Sequence, residues 1–474
     1  MFYGFNSAVR GLLASQRSLY TTNHNINNAN TRGYSRQQVD QRATNPHNLP
    51  GIGYLGTGTE ITNIQRVRDS FVDYKYWSET APVGEWEVKK SSLAEIEKLM
   101  GEPSNNSFRK YMDDLYKSLD EMSKNPGDIA FREPVRENAM AFTKHINETA
   151  KRLENMKTET ENSIETKVKY VNTLSSQIAA LNKQIHSAEI DGRHANDLRD
   201  RRELLVDDLS KIVNVKVNEG ADGKYNVSVG GISIVDHMDV NKMSFNKDAV
   251  DVNKMITWEN GGTVNIKSGE IKGLTDMLTG DGKNGTYKGI PYFENQLNEF
   301  AMGYADKFNE QHAKGYGLDK DTLAGNFFTY DLNNPAATFT LHQDIIDDIK
   351  NIAAAGKPGG DQEDNENLLA LIKQREDKTF FKDGVSQGTP DDFIKSMLSS
   401  MAVDSMQAKK VYETQGLIQN NIITKRNSIS GVSLEEEMAD MVRFQHVYVA
   451  SSKMITTMDT LLDITVNRLG LVGR

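Results

Sequence analysis

The chain contains no cysteine. No disulfide can therefore staple its loops, and no thiolate is available as a nucleophile or metal ligand. Two histories fit that absence: export in an unfolded state, where stray disulfides would obstruct passage, and compositional drift in a low-cysteine organism. No stretch approaches the ~20 apolar residues of a membrane span. The opening Met1-Phe2-Tyr3-Gly4-Phe5-Asn6 lacks the basic and long apolar regions of a cleaved secretory signal. The expectation is a chain that stays in the cytoplasm or leaves by a route reading no cleaved signal. A sustained Lys/Arg block is missing too. The 56 basic residues are interleaved with 66 acidic ones for a net charge of −10, which argues against a phosphate-binding surface and hence against nucleic acid.

Catalytic spacing is equally scarce. There is no H-E-x-x-H, P-loop or G-x-S-x-G, and the nine histidines are scattered. Gly51-Ile52-Gly53-Tyr54-Leu55-Gly56 matches G-x-G-x-x-G. That fingerprint binds a dinucleotide only when it leaves a strand and opens a helix. Here Pro46 and Pro50 precede it and a β-like segment follows, so a turn is expected. His186 and His194 flank a turn, but their spacing suits a metal poorly and no third ligand is apparent. Asp344–Asp348 and Asp361–Asp364 lack calcium-loop spacing. Asp197, Asp200, Glu203, Asp207 and Asp208 read as an exposed helix face. No catalytic, cofactor or metal site is expected.

What is present is helical periodicity at both ends. Phe5, Ala8, Leu12, Ser15, Leu19, Thr22 and Ile26 recur at steps of three and four, as do Met441, Phe444, Tyr448, Ser451, Ile455, Met458, Leu462, Thr465 and Leu469. Each set makes one narrow stripe, the arrangement of a coiled-coil seam. Four of these positions are Ser or Thr, so neither stripe is a strong zipper and each calls for a partner, the other terminus being the obvious one. Periodicity alone leaves an ordinary pair of amphipathic helices open.

Between the ends, Asn27–Tyr34 stops the first helix, and Thr59–Val67 alternates as a half-buried strand. From Val83 to Lys211 the chain is charge-laced and helical. Pro103 and Asn125-Pro126-Gly127 divide that region, and a helical hairpin turns at Asp191-Gly192. β-prone pieces follow at Val213–Val217, Tyr225–Val229, Ile232–Val235 and Thr263–Ile266, with a helix over 292–314. Helical spacing returns over Asp391–Arg426. At 474 residues with 37% apolar content, against a typical ~45–50%, an elongated protein of several domains is expected. The fold class is α+β, mainly α: a terminal coiled-coil unit (1–40 with 430–474), a helical domain (41–212 with 365–429) and a β-rich outer domain with one helix (213–364).

Asn28-Ala29-Asn30-Thr31-Arg32-Gly33-Tyr34-Ser35-Arg36-Gln37 resembles the signature of the bacterial flagellar axial proteins, the rod, hook and hook-associated proteins. Arg32 stands where that family commonly has proline. The run Gly33–Gln37 is similar to the hook-associated protein 1 branch. So are Ser430-Gly431-Val432-Ser433-Leu434-Glu435-Glu436-Glu437-Met438-Ala439 and the closing helix after it. The resemblance implies a structural, non-enzymatic protein of the extracellular flagellum, exported unfolded by the flagellar type III apparatus. It further implies self-association into a ring at the hook–filament junction. The implied partners are hook protein, hook-associated protein 3 and an export chaperone on the C-terminal helix, with no membrane insertion. A hook or rod subunit is the nearest alternative reading, followed by an adhesin or an enzyme using the β-rich insert.

Overall fold

The computed structural model describes residues 2–51, 53–100, 108–220, 223–249, 254–318, 321–359, 362–381 and 388–468. Ile52, Pro103 and Leu469 lie outside them, as do Asp222, Asp361 and Gly384.

The chain opens with helix α1 (Phe2–Asn28), followed by strands β1 (Gln37–Ala43), β2 (His47–Leu49), β3 (Gly53–Leu55) and β4 (Thr59–Arg66). β1 pairs with β4 antiparallel, with a register shift between Asp40 and Gln41, and β2–β3 forms a small hairpin at its far end. Of the G-x-G-x-x-G motif, Gly53–Leu55 is thus a hairpin strand, and strand β4 rather than a helix follows it. Helices α2 (Ser70–Met100), α3 (Phe108–Lys124), α4 (Ile129–Ala188) and α5 (Asn196–Ile212) follow. At 60 residues, α4 is about 90 Å long. Asp128 caps it, accepting from the Ala130 amide. α2 begins well before the expected Val83 and continues through Pro82. Proline costs a helix one hydrogen bond, but α2 is packed along its length by neighbouring helices, and that burial outweighs the local penalty.

Strands β5 (Val215–Glu219), β6 (Tyr225–Val229), β7 (Ile232–Asp236) and β8 (Asp239–Val240) form a four-stranded antiparallel sheet in chain order. β9 (Met243–Phe245) pairs with β10 (Ile256–Trp258). The expected strand at Thr263–Ile266 is reduced to one bridge, Thr257 to Thr263. Then come α6 (Glu270–Thr279), α7 (Ile290–His312), β11 (Phe328–Thr329), α8 (Pro335–Thr338), β12 (Thr340–Leu341), α9 (Gln343–Asp347) and α10 (Glu366–Lys373). The chain closes with α11 (Pro390–Ser430) and α12 (Leu434–Asp463). Thr389 and Asp392 form a reciprocal capping box that starts α11.

Two cores share α4 as a spine. One packs the first half of α4 (Phe142, Ile146, Leu153) with α3, the end of α2, the start of α11 and the aromatic stripe of α7: Phe293, Phe300, Tyr304 and Phe308. The other packs the second half of α4 (Ile164, Val171, Ile178) with α5, α6 and the four-stranded sheet around Trp258. Residues 213–364 therefore contribute to both cores. The sheet lies on the second, while α7 and the segment after it complete the first. The periodicity of α7 gave its apolar stripe but not the surface it would cover. At two close helix approaches the contact residue is glycine. A Cβ on Gly84 of α2 would lie 2.2 Å from the Lys211 carbonyl oxygen, and one on Gly273 of α6 would lie 2.6 Å from that of Glu85.

Candidate assembly site

The two chain ends meet. α1 and α12 run antiparallel, and three contacts fix their register. A Cβ on Gly4 would lie 2.9 Å from Met458 Cε and one on Gly11 3.2 Å from Ser451 Oγ. Asn25 Nδ2 donates to Glu437 Oε2 at 3.1 Å. Positions 4, 11 and 25 thus face 458, 451 and 437, heptad steps on both helices. On α1 the fully buried line is Ala14, Ser15, Ser18, Thr21, Thr22 and Asn25. These are small side chains that let backbones approach. Phe5, Ala8, Leu12, Leu19 and Ile26 are half-buried beside that line. On α12, Phe444, Ser451, Ile455, Met458 and Leu462 are half-buried, and Met441 and Tyr448 are exposed. β1 and β4 cover part of α1: Gln41 Nε2 donates to Ser18 Oγ at 2.9 Å, and a Cβ on Gly58 would lie 3.1 Å from Ser7 Cα.

At the base of this pair sits the Asn28–Gln37 turn. Asn28 Nδ2 donates to the His24 carbonyl and Thr31 Oγ1 to Asn28 Oδ1, closing the helix end. Ala29 donates its amide to the Ile26 carbonyl and Tyr34 to that of Thr31, while Asn30 is exposed. Gly33 takes φ +82° with Leu204 against it, a conformation that a side chain would strain. Tyr34 OH donates to Asn25 Oδ1 at 2.7 Å, and the Gln37 amide donates to the same oxygen at 2.9 Å. Burial and the nearby Asp197, Asp200 and Glu437 carboxylates raise the Tyr34 phenol above its ordinary range. Asn25 Nδ2 also donates to the Gln37 carbonyl. Ser35 binds Asp200 through both its amide (2.8 Å) and its hydroxyl (2.7 Å). Arg36 reaches Glu437 at 2.8 Å and Glu436 at 3.0 Å.

Behind the turn is a buried ionic cluster. Arg66 pairs with Asp200 (2.8 Å) and Glu203 (2.7 Å). Arg68 pairs with Asp73 (2.7 Å) and Glu203 (2.6 Å). Arg426 joins Asp73 and Asp207, both at 2.7 Å, and Trp77 Nε1 donates to Asp207. Asp200, Glu203 and Asp207 are buried, which corrects their reading as an exposed helix face; Asp197 remains exposed. Their spacing of three and four residues is itself a stripe, and its complement is Arg66 and Arg68, two apart in an extended segment. That pairing was the signal available in the sequence. Nothing there pointed to Asn25, Asp73 or Arg426, and Glu437 stood out only within the closing resemblance; Asn25–Glu437 and Arg426–Asp73 join positions remote in the chain. Burial pushes the Glu203 carboxyl up, but Arg68 and Arg66 outweigh it and hold it at about 2. For Asp207 burial wins over Arg426 and Trp77, and its pKa is raised.

The other candidates are dispersed. His186 packs edge-on against His237 at 5.6 Å, and His194 lies 4.0 Å from Glu189. Among the described residues no three His, Asp or Glu side chains are arranged to hold a metal ion, and no helix is long and apolar enough to cross a membrane.

Residues 93–328 match the family described as "Flagellar hook-associated protein FlgK helical domain". Residues 425–469 match "Flagellar basal body rod FlgEFG protein C-terminal". The chain is 28% identical to the flagellar hook-associated protein 1 of Bacillus subtilis (strain 168), covering all of this chain and 99% of that one. It is 24% identical to the protein of the same name in Escherichia coli (strain K12), over 98% and 99% of the two chains. The fold resembles the flagellar hook junction protein FlgK from Burkholderia pseudomallei. The TM-score is 0.64 at 13% identity, covering 75% of this chain and all of that one. The chain belongs to the family of flagellar hook-associated protein 1.

Proposed function

We propose that this chain is a structural subunit of the bacterial flagellum, assembling into a ring at the junction of hook and filament and catalysing no reaction. The observation that carries the reading is the surface of α12. Apart from Glu437 it buries no residue within the subunit, although Leu434, Met438, Val442, Val449, Met454 and Leu461 are between 42% and 50% exposed on several sides. Apolar surface this extensive, left open by the subunit, is surface made to be covered by neighbours.

In this reading residues 1–40 and 430–474 form the assembly unit. Its seam is Phe5, Ala8, Leu12, Leu19 and Ile26 with Met441, Phe444, Tyr448, Ile455, Met458 and Leu462. The buried line beside this seam is small and polar, so the pair is only marginally populated in the free chain, and contacts with neighbours complete its ordering as each subunit joins. Heterologous contacts between copies then close the ring. Hook protein lies on one side and hook-associated protein 3 on the other. Before export, without a cleaved signal, a chaperone covers α12. The rod-type match at 425–469 reflects the terminal unit shared by axial proteins, while the helical domain over 93–328 favours the hook-associated reading over a rod or hook subunit.

The test is electron microscopy of cells lacking the gene. Hooks without filaments, with flagellin shed into the medium, are expected; normal filaments would refute the proposal. Complementation with Leu19→Asp or Ile455→Asp should yield a chain whose middle still folds but which restores no filaments.

A further inference from the structure

The α1–α12 seam steps by heptads on both helices: Gly4 faces Met458 and Gly11 faces Ser451. On α1 a slip of seven residues therefore sets one glycine where the other stood. Heptad seams of this kind take their register from a buried polar residue that is satisfied in one alignment only. Here there is one such place. Asn25 is 1% exposed and Glu437 2% exposed, and no other residue of α12 is buried. Asn25 uses its full hydrogen-bonding capacity. Its oxygen accepts from Tyr34 OH and the Gln37 amide, and its nitrogen donates to the Gln37 carbonyl and Glu437 Oε2. Glu437 Oε1 accepts from Arg36 Nε, and the Arg36 amide is held by the Ser430 carbonyl just before α12.

We infer that the Asn25–Glu437 contact, braced by Tyr34, Arg36 and Gln37, is the register clamp of the terminal helix pair. This gives the Asn28–Gln37 turn a role inside its own subunit. It holds the Asn25 amide in one orientation and brings Arg36 to the single carboxylate that α12 buries. Slipping α12 by seven residues in one direction would set Phe444 against Asn25. In the other it would draw Ser430 and Gly431 away from Arg36. In both, Arg36 would lose Glu437, and the Asn25 amide, buried with it, would be left without that acceptor. The clamp is a matter of folding within one chain and holds whatever the subunit's place in the flagellum.

The absence of cysteine makes the test direct. Gly11→Cys is combined in turn with Ser451→Cys, Phe444→Cys and Met458→Cys in the purified full-length chain. Oxidation then traps whichever register the pair adopts, since a disulfide needs Cβ atoms about 4 Å apart. In the parent background the 11–451 product should dominate. In Glu437→Leu its ratio to the 11–444 and 11–458 products should fall about tenfold, the weight of one charged hydrogen bond. Glu437→Gln, which keeps an oxygen for Asn25 in the same shape, should recover much of the parent ratio. A side chain that merely filled space would not produce that order. The inference is overturned if the Leu variant keeps the parent pattern, if Leu and Gln behave alike, or if the parent itself gives no excess of the 11–451 product. Loss or retention of filaments in cells carries no weight here, because it tests the junction role alone.

Discussion

Replacing Glu203 by glutamine tests how much the ionic cluster contributes to the fold. Glu203 is held at about 2 against an ordinary 4.5. Its side chain is 8% exposed and shared between Arg66 and Arg68, themselves 11% and 10% exposed. The folded state thus prefers the charged carboxylate by about 3 kcal/mol relative to the unfolded chain. Because the folded value lies below the unfolded one, this stabilisation is fully present above about pH 4.5 and is lost as pH falls from 4.5 towards 2. Glu203→Gln keeps the volume and removes the charge, leaving two buried guanidiniums to share Asp200 and Asp73. Urea unfolding at pH 7 should show a loss of about 3 kcal/mol, within the range for breaking one partner from a buried pair. The gap between parent and variant should shrink as pH falls through 4.5 towards 2, since the unfolded chain is protonated first and the folded carboxylate follows near pH 2. Asp207, whose raised value has the opposite sign, is common to both proteins and cancels. A gap under about 0.5 kcal/mol at pH 7, or one independent of pH, would refute the reasoning.

His312 offers a second acid-sensitive point. It is fully buried, with Nδ1–H donating to the Gly325 carbonyl at 2.8 Å and Nε2 accepting from the Ala353 amide at 2.9 Å, and burial lowers its pKa to about 4. The unfolded chain gains the proton first, so stability should drop by about 3 kcal/mol between pH 6.5 and 4. His312→Gln should flatten that part of the profile in urea titrations. Glycine to alanine should act with opposite signs at two helical sites. Gly84→Ala places a methyl 2.2 Å from the Lys211 oxygen and should cost about 1–3 kcal/mol as α2 and α5 part. Gly416→Ala in α11 meets nothing within 4 Å and should gain about 0.5–1 kcal/mol. Thermal melts of the two variants check both signs.

Much of the local structure was legible in the residues because the physics behind it is local. The three- and four-residue steps of Phe5 to Ile26 and Met441 to Leu462 specify helices, and Asn27–Tyr34 a helix stop. Val213–Val217 and Tyr225–Val229 alternate as strands do. Motifs at both ends also carried the family resemblance, since short-range chemistry is written in adjacent positions. What only the tertiary structure decided are matters of which surfaces meet. The α7 stripe completes a core with α3 and α4 and does not join the sheet that precedes it in the chain. Asp200, Glu203 and Asp207 are acidic and spaced as a solvated face would be, yet they are buried. Three arginines from residues 66, 68 and 426 converge on them, and the energy of a buried charge depends on partners that sequence distance conceals. The same holds for Asn25 and Glu437, 412 residues apart in the chain. Periodicity determined that each terminus would form a striped helix. The alignment of the two helices is set where Asn25 meets Glu437.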